Sequence, residues 1–292
     1  MKRRTLLAGL MMVWLTPLHA AERIPVVASF SILADIASNV GAGRVSVTSL
    51  VGPDGDSHVY TPSPADAKAV STAQLVIVNG LGFEGWLPRL IGAASRDGLK
   101  AMTAVASEGI TPRREDGSLD PHAWQSVANA KVYATNIRDA LIAADPDGTA
   151  AYRANTDAYL AKLDALDREV REAVAKIPPE RRKVISTHDA FGYFAAAYGI
   201  DFIAPQGVST ESEASARDVA RIITQIRAQK VPAVFLENVS DPRLIRRIAA
   251  ETGAKVGGTL FTDALTGEKG EAPTYIDMVR HNIKALTQAL AD

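Results

Sequence analysis

The sequence has 292 residues, 47% of them hydrophobic, with a mean hydropathy near zero, which is material for two sizeable globular cores. The formal charge is −1 and falls to −4 once the three cations Lys2, Arg3 and Arg4 are set aside, so no basic footprint for a nucleic acid exists. Cysteine is absent, which excludes a disulfide framework, a thiolate metal site and a lipid-modified cysteine.

In chain order, residues 1–20 read as a secretory leader: Lys2-Arg3-Arg4 is a positive start, Leu6 to Leu15 an apolar stretch, and Pro17-Leu18-His19-Ala20 a cleavage site. The apolar run is too short to span a bilayer comfortably, so export and cleavage near Ala20 into a periplasm-like space are expected, with no stable membrane anchor. Ile24–Phe30, Val45–Val51 and Leu75–Asn79 read as strands, several with the continuous apolar character of strands buried on both faces. Ser31–Val40, Pro64–Ser71 and Ala128–Ala144 read as helices.

From Asp147 to Ile177 the residues Tyr152, Tyr159, Leu163, Leu166, Val170, Val174 and Ile177 recur mostly every three or four positions until Pro178-Pro179 stops them. That predicts one helix of about thirty residues, or about 45 Å at about 1.5 Å per residue. Beyond it, strands at Lys183–Thr187, Asp201–Ala204 and Ala233–Leu236 alternate with helices at Ser215–Gln229, Pro242–Thr252 and Tyr275–Ala291. The alternation predicts an α/β fold with parallel sheets. The expected organisation is a lobe over 21–145, a linking helix over 146–177 that resists bending, and a second lobe over 178–292.

Three histidines stand at junctions of these elements. His58 lies in a loop opened by Gly52-Pro53-Asp54-Gly55, His122 lies between Pro121 and Ala123 before the Ala128 helix, and His188 follows the Lys183–Thr187 strand. Asp263 follows the short run Gly258–Phe261. Open α/β sheets bind ligands beyond the carboxyl ends of their strands. Three imidazoles and a carboxylate complete a shell for zinc or manganese. His281 falls inside the last helix near Arg280, where a surface role is expected, and His19 leaves with the leader. Asp120 and Asp189 are candidates for turn or capping residues, or for carboxylates that orient an imidazole. Glu84 and Glu237 follow strands near the expected cleft, with no role fixed by the sequence.

With Asp120-Pro121-His122-Ala123-Trp124, Thr187-His188-Asp189-Ala190-Phe191-Gly192-Tyr193-Phe194, the long helix and Phe261-Thr262-Asp263 in this order, the chain resembles the periplasmic solute-binding proteins of zinc and manganese ABC importers, the ZnuA/TroA-like group. The resemblance implies two Rossmann-like α/β lobes joined by a rigid helix. It also implies a single ion in the interlobe cleft, held at positions matching His58, His122, His188 and Asp263. A monomer that hands its ion to a membrane permease, with a metallochaperone as a further candidate partner, is the expected working unit. Histidine-rich loops typical of zinc-dedicated relatives have no counterpart in Ser107–Leu119, whereas His188 gives the site more nitrogen than manganese-preferring relatives offer. Zn2+ is therefore expected over Mn2+.

Two other readings weigh less. A secreted zinc hydrolase using the same histidines needs an open coordination position, which four protein ligands do not leave. Gly80-Leu81-Gly82-Phe83-Glu84-Gly85 fits a dinucleotide fingerprint, but no acidic residue ends a strand at the expected distance, and a tight turn is the simpler reading.

Overall fold

The computed structural model describes residues 23–96 and 101–291; the leader expected over 1–20 lies outside them. In the first lobe the chain runs β1 (Ile24–Phe30), α1 (Ser31–Gly41), β2 (Val45–Val51), α2 (Pro64–Thr72), β3 (Leu75–Val78), α3 (Leu87–Arg96) and β4 (Met102–Val105). A hairpin, β5 (Arg113–Glu115) and β6 (Ser118–Asp120), leads to α4 (Val127–Ala144) and the long α5 (Thr149–Ala175). The remainder is β7 (Lys183–Ile185), α6 (Gly192–Tyr198), β8 (Asp201–Ile203), α7 (Ala216–Gln229), β9 (Ala233–Glu237), α8 (Pro242–Thr252), β10 (Lys255–Leu260) and α9 (Tyr275–Leu290).

Both four-stranded sheets are parallel and follow one plan: β2-β1-β3-β4 in the first lobe and β8-β7-β9-β10 in the second. In each, the chain first steps to one side of the founding strand and then to the other, which opens a crevice beside β1 and β3 and beside β7 and β9. β3, with the sequence Leu-Val-Ile-Val, is buried on both faces, as the unbroken apolar run requires.

The 27 residues of α5 extend about 40 Å. Its stripe Tyr152, Tyr159, Leu163, Leu166, Val170 and Val174 is buried, packed against α1, α4 and α9. Two cores of similar size do not form. One core runs from Leu33 and Ile77 through Leu163 to Phe235, Leu260 and Leu286, crossing between lobes. The second is a small cluster, Ile185, Ile222, Ile223, Ile226, Val231, Val234, Ile245 and Ile248, beneath α7 and α8. The reason is α9, which follows the second sheet in sequence but lies against α1 and α5.

Several elements were not anticipated. β4 and the start of β10 sit largely exposed at sheet edges, and the exposed β5-β6 hairpin and the short α6 have little periodic signal. Helix α3 accepts Pro88 in its first turn, where a missing N–H costs nothing.

Candidate metal centre

Each lobe brings two of the candidate side chains to the seam. The loop after β2 ends firmly at α2, where Ser63 and Asp66 form a reciprocal cap and Pro64 starts the helix. Asp56 Oδ1 accepts the backbone N–H of His58 at 2.9 Å. His122 opens the short 3-10 turn before α4. His188 stands three residues past the end of β7, and Asp263 three residues past the end of β10. His122, His188 and Asp263 are fully buried and His58 is 7% exposed.

One donor atom from each of His58, His122, His188 and Asp263 falls within 4.8 Å of all the others. The Nε2 atom of His122 is 3.3 Å from that of His58 and 3.3 Å from that of His188. Asp263 Oδ2 is 3.4 Å from His58 Nε2 and 3.2 Å from His188 Nε2, and its Oδ1 is 3.5 Å from His122 Nε2. Donors placed about 2.0–2.1 Å from a tetrahedral ion stand about 3.3–3.4 Å apart, so the contacts of His122 with His58 and His188, and those of Asp263 Oδ2, lie close to the separations one shared cation requires. Phe83 and Trp124 wall the imidazoles, 4.9 Å from the His58 ring and 5.3 Å from the His122 ring.

Two carboxylates fix the rings from behind. His122 Nδ1 donates to Asp120 Oδ1 at 2.9 Å, which also takes the His122 backbone N–H at 3.0 Å. His188 Nδ1 donates to Glu237 Oε2 at 2.5 Å, while Glu237 Oε1 accepts the backbone N–H groups of Thr187 and His188. With Nδ1 turned to its carboxylate, each ring leaves Nε2 as the nitrogen that faces inward. Asp189 does not orient an imidazole. Its carboxyl is pushed up to about 6 by burial and by the nearby Glu115 and Asp120 charges. Glu237 takes that role because β7 and β9 pair with Ile185 opposite Val234, and the same offset sets His188 level with Glu237.

Burial disfavours ionisation throughout, yet the charges sort themselves. For His188 burial pushes the pKa down, but Glu237 and Asp263 lift it well above the usual imidazole value. Burial holds His122 below that value despite Asp263 and Asp120. Asp263 resists its own burial because His188 and His122 hold its carboxyl well below the usual range.

Glu84 is buried away from the four donors. It accepts the Ser29 hydroxyl at 2.6 Å, the Asn79 N–H at 2.6 Å and the Gly80 N–H at 3.2 Å, and burial raises its pKa. Gly80, Leu81 and Gly82 all have positive φ, so the glycine-rich stretch is a turn folded around Glu84, and the helix after it waits until Leu87. His281, expected at the surface, is half-buried, with Nε2 donating to Thr259 O at 3.0 Å and its ring 4.7 Å from Phe261.

The chain matches the family described as "Zinc-uptake complex component A periplasmic" over residues 26–289. It belongs to this family. Members are the substrate-binding components of metal ABC importers, not enzymes, and the hydrolase reading falls with that membership. The chain is 35% identical over 270 residues to the manganese-binding lipoprotein MntA of Halalkalibacterium halodurans, covering 92% of this chain and 89% of that one. It is 34% identical over 277 residues to the iron-binding protein YfeA of Yersinia pestis, covering 93% and 88%. Among solved structures, the periplasmic zinc-binding protein TroA from Treponema pallidum superposes with a TM-score of 0.87 at 32% identity, covering 92% of this chain and all of that one. No helix of the described residues is long and apolar enough to cross a membrane.

Proposed function

We propose that this protein captures one divalent transition-metal ion with His58, His122, His188 and Asp263 and surrenders it to the permease of an ABC importer. The observation that carries the reading is Asp263. It is completely buried, and what faces its two carboxylate oxygens is the Nε2 atoms of the three imidazoles at 3.2, 3.4 and 3.5 Å. In the metal-free site the buried charge is countered by those imidazoles, and a divalent cation held among the four side chains would take over that part. Export with cleavage near Ala20 would place capture in the periplasm.

Zinc is the favoured ion, because three of the four ligands are imidazoles. A second reading, manganese, draws on the carboxylate. Oδ2 faces His58 and His188 while Oδ1 faces His122, so both oxygens address the cluster. A bidentate carboxylate adds the oxygen character that manganese prefers. Relatives named for manganese, iron and zinc all lie at similar distance.

Metal analysis of tag-free protein, followed by competition between Zn2+ and Mn2+, tests both points. One equivalent of bound metal, with zinc displacing manganese at equal concentration, is the expected result. Protein that takes up no stoichiometric metal would falsify the reading.

A further inference from the structure

Three of the four metal-facing residues follow a peptide carbonyl gripped by a buried side-chain N–H. Trp86 Nε1 donates to Ser57 O at 2.8 Å, ahead of His58, and Asn79 Nδ2 donates to Pro121 O at 2.9 Å, ahead of His122. Both grips stay within the first lobe. The third crosses the seam: Thr262 O, ahead of Asp263, accepts Trp124 Nε1 at 2.9 Å and Gln125 Nε2 at 2.8 Å. Trp124 and Thr262 are fully buried and Gln125 is 2% exposed.

The grip is itself braced. The Trp124 ring lies 5.0 Å from Phe30 and 4.9 Å from Phe83, and Tyr275 Oη donates to Trp124 O at 2.7 Å. Asp263 offers the opposite case. Among the described residues its carboxylate meets the imidazoles in front and has no group bracing it from behind, so its aim depends on the backbone that carries it, two rotatable bonds away.

We infer that Trp124 and Gln125 are positioning residues for Asp263 and, through it, set how much oxygen character the site offers to the ion. The inference rests on the ligand set proposed above. Imidazole-rich shells retain zinc when an oxygen donor is displaced, whereas manganese depends on its carboxylate oxygens. Loosening the grip on Thr262 O therefore weakens manganese binding more than zinc binding, and the first lobe tunes a ligand supplied by the second.

The test compares Trp124→Phe, Gln125→Met, their combination and Asp263→Ala with the unaltered full chain, titrating Zn2+ and Mn2+ separately against a chromophoric chelator. Trp124→Phe and Gln125→Met should each lower Mn2+ affinity by about tenfold, with a smaller loss for Zn2+, so that the zinc-to-manganese affinity ratio rises. An unchanged ratio overturns the inference, whether both affinities stay put or fall by one common factor, the latter being what a purely structural role gives. Asp263→Ala separates the two layers: if it leaves both affinities unaltered, the ligand reading itself fails. Melting of the metal-free variants reports folding, and the single variants carry the test should the double variant not fold.

Discussion

The two lobes lay down their strands in one order and each buries a glutamate where that order reverses, yet the two glutamates do different work. Glu84 is occupied with the Ser29 hydroxyl and two N–H groups following β3. Glu237 accepts two N–H groups following β7 and has an oxygen left for the His188 ring. Glu84, in the turn beyond β3, thus holds a loop in one lobe, and Glu237, at the end of β9, aims a ligand in the other. What the neighbouring strand offers decides which: the Ser29 hydroxyl from the end of β1, or the His188 ring from the loop after β7.

Removing the partner of Glu237 should break this comparison most severely. His188→Ala leaves a buried carboxylate without its imidazole and should cost about 3–5 kcal/mol of stability beyond the lost metal site. His58→Ala, at the more exposed rim, should abolish tight metal binding with a smaller stability loss; urea denaturation of the metal-free proteins reads both. The cores come next. Leu163→Ala, in the core that crosses the seam, should cost about 2–5 kcal/mol, and Ile245→Ala, in the small cluster under α8, should fall at the low end of that range because fewer neighbours surround the cavity. Equal losses would contradict the inequality of the two cores.

Smaller still is the pair of isosteric changes. Glu237→Gln should weaken metal binding by about 10–100-fold by disturbing the ring it orients. Glu84→Gln should leave affinity within about threefold while lowering the melting temperature, since its contacts are to backbone and a hydroxyl rather than to an imidazole. A comparable affinity loss in both would erase the distinction.

Last comes pH. The folded-state pKa of His188 lies above its unfolded value, so at this group the metal-free protein binds more proton folded than unfolded. That stabilisation is full below about pH 6.5 and is lost as pH rises through the folded pKa. Metal binding must displace the same proton. The rise in melting temperature caused by metal should therefore grow with pH above about 6.5, and Glu237→Gln should flatten the trend. Scanning calorimetry with and without metal across that range provides the measurement.

Legibility in the sequence followed burial. Ile24–Phe30 and Val45–Val51 read correctly to the residue because alternating or continuous apolar runs coincide with sheet faces. Lys255–Leu260 was legible only in its last residues, since it begins exposed and carries Gly257-Gly258. The four donors were visible as residue types at strand ends. Their supports were less so: Asp120 is adjacent in sequence to the turn it serves, but Glu237 reaches His188 through a strand register that spacing along the chain does not reveal. Asp189, beside His188 in sequence, was for that reason the wrong neighbour.

Swinging the halves apart would wet Leu163, Leu166 and Val170 along α5, at about 25 cal/mol for every Å2 of apolar surface uncovered. If the protein serves an importer as proposed, that resistance would leave full and empty carriers with nearly the same outline, and the empty form would compete for the same dock. Uptake would follow the proportion of carriers that are loaded rather than their absolute number.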